Sequence, residues 1–298
     1  MTPHFEPIGP SSTSGFFARV TGLDLTQPLD AGTVAAIERG MDQYAVLVFP
    51  SQDITDAQQV AFTEGFGALE TTVGGNVTKQ SEARLDPRLA DVSNLDQHGK
   101  PLARDDRRLM FNLGNQLWHS DSSFRATPAK YSILSGRRVS TGGGNTEFAD
   151  MRAAYDALND ATKHEVEDLV CEHSLMVSRG LLGFTDLTAE ERAMFAPVRQ
   201  RLVRTHPVSG RRSLYLSSHA GAIVGWPVPE ARAFLRDLNE HATGPRFTHA
   251  HVWQPNDLVI WDNRQTMHRV RRFDATQVRD MRRTTVAGDG PTYQAQAA

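Results

Sequence analysis

The chain has 298 residues, of which 39% are hydrophobic and 22% are charged, and its formal net charge is −3. This composition is typical of a soluble globular protein, and we expect one domain over residues 1–298 with an ordered core at about residues 15–288. The small negative charge excludes the strongly basic surface of most nucleic-acid-binding proteins, and no run of about 18 apolar residues predicts a membrane span.

The cysteine content and the N-terminus indicate the compartment. Cys171 is the single cysteine, so the chain can form neither an internal disulfide nor a site that needs a cysteine pair. The first ten residues lack the basic region and the apolar run of an export signal. We therefore expect a cytoplasmic protein.

The first half of the chain predicts two amphipathic helices on either side of a buried strand. Residues 30–44 have helical spacing with Asp30 as a cap, and residues 45–49 form an apolar strand. A second helix is predicted to begin at Thr55 and to stop at Gly67. Residues 71–116 are polar and lack a clear period over much of their length, which predicts long loops around short strands. Residues 74–79 could form a lid or an ordinary surface turn.

The second half of the chain predicts mainly strands. Two helices are expected within residues 150–170 and one at residues 229–241, whereas residues 201–217 have the pattern of a hairpin. Residues 258–261 and 281–287 resemble strands. Since βαβ alternation and internal repeats are both missing, we predict a mainly β fold with flanking helices.

Two histidines and one carboxylate stand out as candidate metal ligands. His119 and Asp121 are two positions apart, a spacing that lets both side chains point the same way from one extended segment. His268 is far along the chain, so the fold would have to return a distant strand to the same place. This ligand set is typical of mononuclear non-haem Fe(II) sites with open coordination positions. A zinc hydrolase could use the same three residues.

Two arginines follow His268 on a strand-like run. Arg279, Met281 and Arg283 would share one face of a strand, with the two arginines roughly 13 Å apart. They could therefore hold two different anions, or they could belong to a solvated edge that discourages aggregation. We assign the edge role to the remaining arginines nearby, Arg269, Arg271, Arg272 and Arg282.

These residues, together with three longer segments, resemble a known family. The segments are residues 44–49 (YAVLVF), 148–158 (FADMRAAYDAL) and 282–288 (RRTTVAG), and residues 261–269 (WDNRQTMHR) contain the distal histidine. The chain resembles the taurine dioxygenase group of Fe(II)/2-oxoglutarate-dependent oxygenases, with the closest likeness to 2,4-dichlorophenoxyacetate dioxygenases.

The resemblance implies a double-stranded β-helix, also called a jelly roll or cupin-like fold, with Fe(II) bound by His119, Asp121 and His268. It implies that Arg279 and Thr146 bind the co-substrate 2-oxoglutarate, and that Arg283 and Asn115 contact a small acidic organic substrate. O2 is the second co-substrate, and family members commonly form homo-oligomers. Other nearby side chains are expected to be structural, namely Trp118, Phe124, Trp261, His173, His206, His219, His249 and His251.

The activity implied is hydroxylation of an aryloxyalkanoate such as 2,4-dichlorophenoxyacetate, which gives a phenol and glyoxylate together with succinate and CO2. The first alternative is the same chemistry on a sulfonate such as taurine or on another small organic anion. A second alternative is a non-catalytic sensor that binds metal or 2-oxoglutarate. The two arginines and the wide resemblance argue against the zinc hydrolase.

Overall fold

The computed structural model describes residues 2–9, 15–72 and 77–294. Residues 73–76, which include part of the predicted lid, and residues 295–298 lie outside the described residues. Within the described chain the strands are β1 (His4–Pro7), β2 (Phe17–Thr21), β3 (Val46–Phe49), β4 (Ala90–Asp91), β5 (Tyr131–Arg138), β6 (Thr146–Asp150), β7 (Val170–His173), β8 (Val198–Arg201), β9 (Val203–Thr205), β10 (Arg212–Leu214), β11 (Ala220–Ile223), β12 (Thr248–His251), β13 (Leu258–Asp262), β14 (Thr266–Val270) and β15 (Asp280–Thr285). The α-helices are α1 (Ala31–Tyr44), α2 (Asp56–Glu64), α3 (Arg107–Asn112), α4 (Met151–Asp156), α5 (Asp160–Val166), α6 (Leu175–Leu181), α7 (Ala189–Met194) and α8 (Val228–Ala242).

Seven of these strands form the larger sheet, in the order β1-β2-β3-β13-β5-β15-β4. Strands β2 and β3 run parallel, whereas the other neighbouring pairs run antiparallel. Strand β13, the apolar run predicted from the sequence, is central because it pairs with β3 on one side and β5 on the other.

A smaller sheet, in the order β12-β6-β14, packs against the larger one. Phe148 of β6 meets Trp261 of β13 with ring centroids 5.6 Å apart, and both belong to the core between the sheets. Two short sheets, β11-β7-β8 and β10-β9, extend the described structure. The two facing sheets make the jelly roll that the resemblance implied.

Alternation along β3 explains why the larger sheet has two apolar faces. Val46 and Val48 belong to the core between the sheets, whereas Leu47 and Phe49 belong to a second core that includes residues of α1 and α2. Neighbouring residues of a strand point to opposite faces, so a continuous apolar run fits a strand that is covered on both sides. The helices therefore cover the outer face of the larger sheet, whereas its inner face is available to the smaller sheet and the site.

The predicted starts of the first two helices are confirmed. Asp30 caps α1 by accepting a hydrogen bond from the Thr33 amide at 2.8 Å. Thr55 forms a capping box with Gln58 at the start of α2. The predicted end of α2 is too late, because the helix ends at Glu64 and a tight turn follows before Gly67.

Residues 71–116 contain more regular structure than the sequence indicated. Besides β4, the segment contains helix α3 and two short 3-10 turns, Gln80–Glu82 and Leu113–Gln116. Asp106 caps α3 by accepting from the Arg108 amide, and the helix buries Phe111. The short helix was missed because one buried ring in six residues produces no visible period.

The remaining predicted elements are present with shifted ends. Helices α4 and α5 occupy the predicted two-helix region, α8 begins one residue before its predicted start, and β9 and β10 form the predicted hairpin. Strand β1 pairs with β2 and lies before the core predicted to begin at residue 15.

The prediction that the arginines near His268 form a solvated edge is wrong for Arg282 and Arg269. Arg282 binds Asp56 through Nη1 at 2.7 Å and Asp280 through Nη2 at 2.9 Å, and only 22% of its side chain is exposed. Arg269 binds Glu147 at 2.7 Å and lies over the Trp118 ring. Asp56 and Glu147 lie on segments distant from these arginines, so the local sequence could not reveal those two pairings.

No helix in the described part of the chain is long and apolar enough to cross a membrane.

Gln59 joins α2 to the larger sheet through its buried amide. The amide nitrogen donates to the carbonyl oxygens of Ile133 and Arg282 at 3.1 and 2.9 Å, and its oxygen accepts from Ser135 at 2.7 Å. These partners lie on β5 and β15, the strands that carry residues into the site. A buried amide with matched partners is costly to remove, since its partners would remain buried and unsatisfied.

We predict that Gln59→Ala lowers the free energy of unfolding by about 2 to 4 kcal/mol, because it removes several buried hydrogen bonds at once. The measurement is urea unfolding followed by tryptophan fluorescence and circular dichroism. Gln27→Ala is the control, since the Gln27 side chain is exposed and its amide donates to the neighbouring Thr26 hydroxyl, a contact that solvent can replace. Equal effects of the two substitutions would contradict the role of Gln59.

Candidate functional site

His119 and His268 come together through a short antiparallel bridge. The His119 amide donates to the His268 carbonyl at 3.0 Å, and the His268 amide donates to the His119 carbonyl at 2.8 Å. The two imidazole rings lie with centroids 4.2 Å apart. The sequence required a distant segment to come back beside His119, and this backbone pairing brings it there.

His268 lies in the middle of β14, which is an edge strand of the smaller sheet. A tight turn at residues 263–265 takes the chain from β13 in the larger sheet to β14 in the smaller one. Residues of β14 pair with β6, where His268 lies opposite Phe148. The side chain is thereby directed into the space between the sheets.

Asp121 is held from several sides. Its amide donates to Asn263 Oδ1 at 3.1 Å, and Ser132 Oγ donates to its Oδ2 at 2.7 Å. Asn263 also donates to Ser132 at 2.9 Å and accepts from the Trp261 indole at 3.1 Å. This network fixes the carboxylate of a residue that lies in a turn rather than in a strand.

The protonation of the three residues suits metal binding. Burial lowers the pKa of His119 and lowers that of His268 well below its usual value, so both rings are neutral near pH 7. Burial opposes ionisation of Asp121, but the Arg283 guanidinium, the two histidines and the Ser132 hydroxyl together outweigh it, and the pKa is lowered to about 2. The site therefore offers two neutral imidazoles and one carboxylate.

The geometry fits a single metal ion. One nitrogen of each histidine and one oxygen of Asp121 all lie within 4.8 Å of one another. His119 Nδ1 lies 2.8 Å from the Leu117 carbonyl, so the ring donates there and its Nε2 lone pair faces Asp121. Two histidines and one carboxylate on one side of an ion leave positions open on the other.

An inner cavity lies beside His268, between the two sheets. Its wall contains Arg279 and Thr146, as well as Val92, Leu134, Trp261 and Val270. Thr146 Oγ1 accepts from the Trp253 indole at 2.9 Å, which leaves its own hydrogen available to an anion. Among the described residues, the Arg279 guanidinium makes only long hydrogen bonds, to the carbonyls of Val92 and Gly144 at 3.3 and 3.4 Å. Arg279 and Thr146, predicted together, thus line one cavity.

Arg283 lies at the junction of this cavity with an outer one. It lines both cavities, and Nη1 donates to Asp121 Oδ1. The pairing of β15 with β5 shifts register between Asp280 and Met281, which lie between Arg279 and Arg283 on the chain. Both arginines therefore line the inner cavity, which favours the anion-binding alternative over the solvated edge.

The outer cavity lies on the other side of Arg283 and has a mixed wall. Phe111, Phe124 and Leu175 supply apolar surface next to His119 and Asp121. Asn115, predicted near the substrate, also lies in the wall of both cavities. The outer cavity can therefore offer apolar contact and cations close to the metal ligands.

Some site residues were missed in the sequence. Ser132 and Asn263 position Asp121, Arg179 lines the outer cavity, and His219, which had been assigned a structural role, also lies in that wall. His219 Nδ1 lies 2.9 Å from Ser178 Oγ. Asn263 could have been noticed, because it follows Trp261 in the motif that contains His268. Arg179 lies in residues 174–180, which resemble a family loop near the pocket, but the sequence does not reveal which of these residues line it. Ser132 and His219 carry no local signal.

Comparison with known proteins agrees with this site. Residues 4–285 match the family described as "Taurine catabolism dioxygenase TauD, TfdA family". This match covers most of the chain.

Two characterised relatives cover the chain almost completely. An "alpha-ketoglutarate-dependent 2,4-dichlorophenoxyacetate dioxygenase" from Cupriavidus pinatubonensis is 46% identical over 276 residues, which are 92% of this chain and 95% of that protein. A "(S)-phenoxypropionate/alpha-ketoglutarate-dioxygenase" from Sphingobium herbicidovorans is 37% identical over 297 residues, which are 97% of both proteins.

A solved structure shares the fold closely. The crystal structure of AAD-2 in complex with Mn(II) and N-oxalylglycine is 62% identical, with a TM-score of 0.95, and the match covers 98% of this chain and 100% of that one. The chain therefore belongs to the TauD, TfdA family and is an α-ketoglutarate-dependent dioxygenase.

Proposed function

We propose that this dioxygenase hydroxylates an aryloxyalkanoate such as 2,4-dichlorophenoxyacetate at the carbon beside the ether oxygen. One oxygen atom of O2 enters that carbon and the other enters succinate, as 2-oxoglutarate loses CO2. The hydroxylated product breaks into a phenol and glyoxylate. The observation that carries the proposal is an outer cavity with aromatic walls and guanidinium groups directly beside the metal ligands.

His119, Asp121 and His268 would hold Fe(II), since their donor atoms converge and their protonation states fit a divalent ion. Bound Fe(II) supplies the activation of O2 that no side chain can provide. Ser132 and Asn263 would keep the carboxylate in place, and the Leu117 carbonyl would keep the His119 ring in one tautomer.

Arg279 and Thr146 would bind the distal carboxylate of 2-oxoglutarate in the inner cavity. Burial lowers the pKa of Arg279 to about 10, which still leaves the guanidinium charged near pH 7. The guanidinium has no carboxylate partner among the described residues, and its planar fork matches a carboxylate. The free hydrogen of the Thr146 hydroxyl would add a second donor.

Arg283 and Asn115 would contact the organic substrate, because both lie where the two cavities meet. The aromatic ring of the substrate would pack against Phe111 and Phe124 in the outer cavity. Both curated relatives are named for phenoxy acids, which favours a substrate with a ring. A small sulfonate such as taurine would leave this apolar wall without contact.

Three expectations about the whole protein stay predictions. We propose one catalytic domain over residues 1–298, which acts in the cytoplasm and associates with its own copies. The state of Cys171 is compatible with a reducing compartment, because burial raises the pKa of its thiol to about 12 and keeps it protonated.

The test of the substrate begins with anaerobic reconstitution with Fe(II), followed by 2-oxoglutarate and air. We expect succinate and 2,4-dichlorophenol to form in equal amounts when 2,4-dichlorophenoxyacetate is present. Succinate formation with taurine but not with 2,4-dichlorophenoxyacetate would indicate that the substrate is a sulfonate. Tight 2-oxoglutarate binding with no succinate from any substrate would favour the non-catalytic sensor.

The metal assignment predicts that His119→Ala and Asp121→Ala abolish turnover and weaken Mn(II) binding by more than about 100-fold, since loss of outer partners alone costs 10- to 100-fold. Electron paramagnetic resonance of free Mn(II) gives the affinity without relying on activity. His249→Ala is the control, because His249 is not among the clustered ligands. Near-native activity of either ligand variant would remove the assignment.

The two arginines should act on different co-substrates. We expect Arg279→Ala to raise KM for 2-oxoglutarate by about 10- to 100-fold, because it removes a pair of charge-assisted hydrogen bonds. For the same reason, Arg283→Ala should raise mainly KM for the organic acid. Steady-state kinetics with each co-substrate varied in turn separates the effects. Identical changes in both KM values would show that the roles are wrongly assigned.

A further inference from the structure

Four arginines of the described chain are buried, and they fall into two pairs. Arg152 and Arg264 each bind a carboxylate two residues before them, at 2.9 and 2.8 Å. Arg279 and Arg179 have no carboxylate within 4.0 Å among the described residues. Burying a cation without an acid is expensive, so an unpaired buried guanidinium needs an explanation.

Arg279 has such an explanation in the inner cavity, where the proposed function gives it a carboxylate of 2-oxoglutarate. Arg179 is its counterpart in the outer cavity, which it lines beside His119 and Asp121. Burial lowers the pKa of each guanidinium to about 10. None of the roles proposed above uses Arg179.

Neutral groups alone hold the Arg179 guanidinium in place. It lies over the Phe111 ring, 4.4 Å from its centroid, and Nη1 donates to Ser178 Oγ at 3.0 Å. Nη2 approaches Asn115 Oδ1 at 3.5 Å, and Nε has no hydrogen-bond partner in the described part of the chain. The cation is thus fixed in position but retains unused donors.

Other cations around the outer cavity already have acids. Arg283 donates to Asp121, and Arg88 binds Asp86 at 3.0 Å. Arg125 lies 3.8 Å from Glu70. The charge of Arg179 is therefore the one left without an acidic partner on this wall among the described residues.

We propose that Arg179 binds the carboxylate of the organic substrate in the outer cavity and determines its preference for acids. The inference rests on the proposed function and deepens it, because it gives the substrate anion a second cation beyond Arg283. Contact with the Phe111 ring and the hydrogen bond to Ser178 hold the guanidinium in place, so little rotamer freedom is lost when the substrate binds. Phe111 and Phe124 remain for the aromatic ring.

Gly114 makes this arrangement testable without removing the charge. A Cβ atom at position 114 would lie 2.5 Å from both Cζ and Nη1 of Arg179. These atoms are the end of a flexible side chain, so Gly114→Ala would displace the guanidinium while the cation stays in the chain.

The experiment measures equilibrium binding by calorimetry to protein loaded with Mn(II) and 2-oxoglutarate under argon. Two probes are compared, 2,4-dichlorophenoxyacetate and its neutral amide, 2,4-dichlorophenoxyacetamide. For Arg179→Gln we expect Kd of the acid to rise by about 10- to 100-fold, and Kd of the amide and of 2-oxoglutarate to change by less than about threefold. Gly114→Ala should raise Kd of the acid in the same selective way.

Arg107→Gln is the matched control. Arg107 also lies over an aromatic ring, that of Phe184, but it is paired with Glu191 at 2.6 Å. We expect it to leave the affinity for both probes unchanged.

Equal losses for the acid and the amide would overturn the inference, because they would show that Arg179 only packs against Phe111. Wild-type affinity for the acid in both Arg179→Gln and Gly114→Ala would overturn it while leaving the proposed function intact. Failure of the wild-type protein to bind the acid would contradict the proposed function, and the inference would fall with it.

Discussion

The reciprocal backbone hydrogen bonds between His119 and His268 are the constraint on which the site depends. They join a loop segment to β14 and fix the direction of both imidazoles at the same time. Asp121 follows two residues later and is locked by Ser132 of β5 and by Asn263 in the turn between the sheets. The backbone pairing that joins this loop to β14 therefore also brings the metal ligands together.

The sequence revealed those features whose signal is local or whose chemistry is rare. The helix caps at Asp30 and Thr55 were predictable because capping depends on a few adjacent residues. The three metal ligands were recognisable because two histidines and a carboxylate form an unusual set. Their roles as ligands remain a proposal, although the structure brings them together.

Features that depend on distant partners were not predictable. Arg282 looked like a surface cation until the structure placed Asp56 beside it. Arg179 lies in a segment that resembles a family loop near the pocket, but its importance became visible only in the structure, where none of the described acids pairs with it. Ser132 became visible as a support of Asp121 only when β5 was placed next to β13. Sequence patterns report which face of an element is apolar, but they do not report which groups of two elements will meet.

The metal ligands and the apolar wall of the outer cavity come from different parts of the architecture. The ligands depend on the paired sheets, whereas Phe111 and Leu175 belong to the short helices α3 and α6, which pack together in a small core of their own. Substitutions in that small core can therefore accumulate without disturbing the sheets. A lineage built on this plan could exchange one organic acid for another while its oxidative chemistry stayed unchanged.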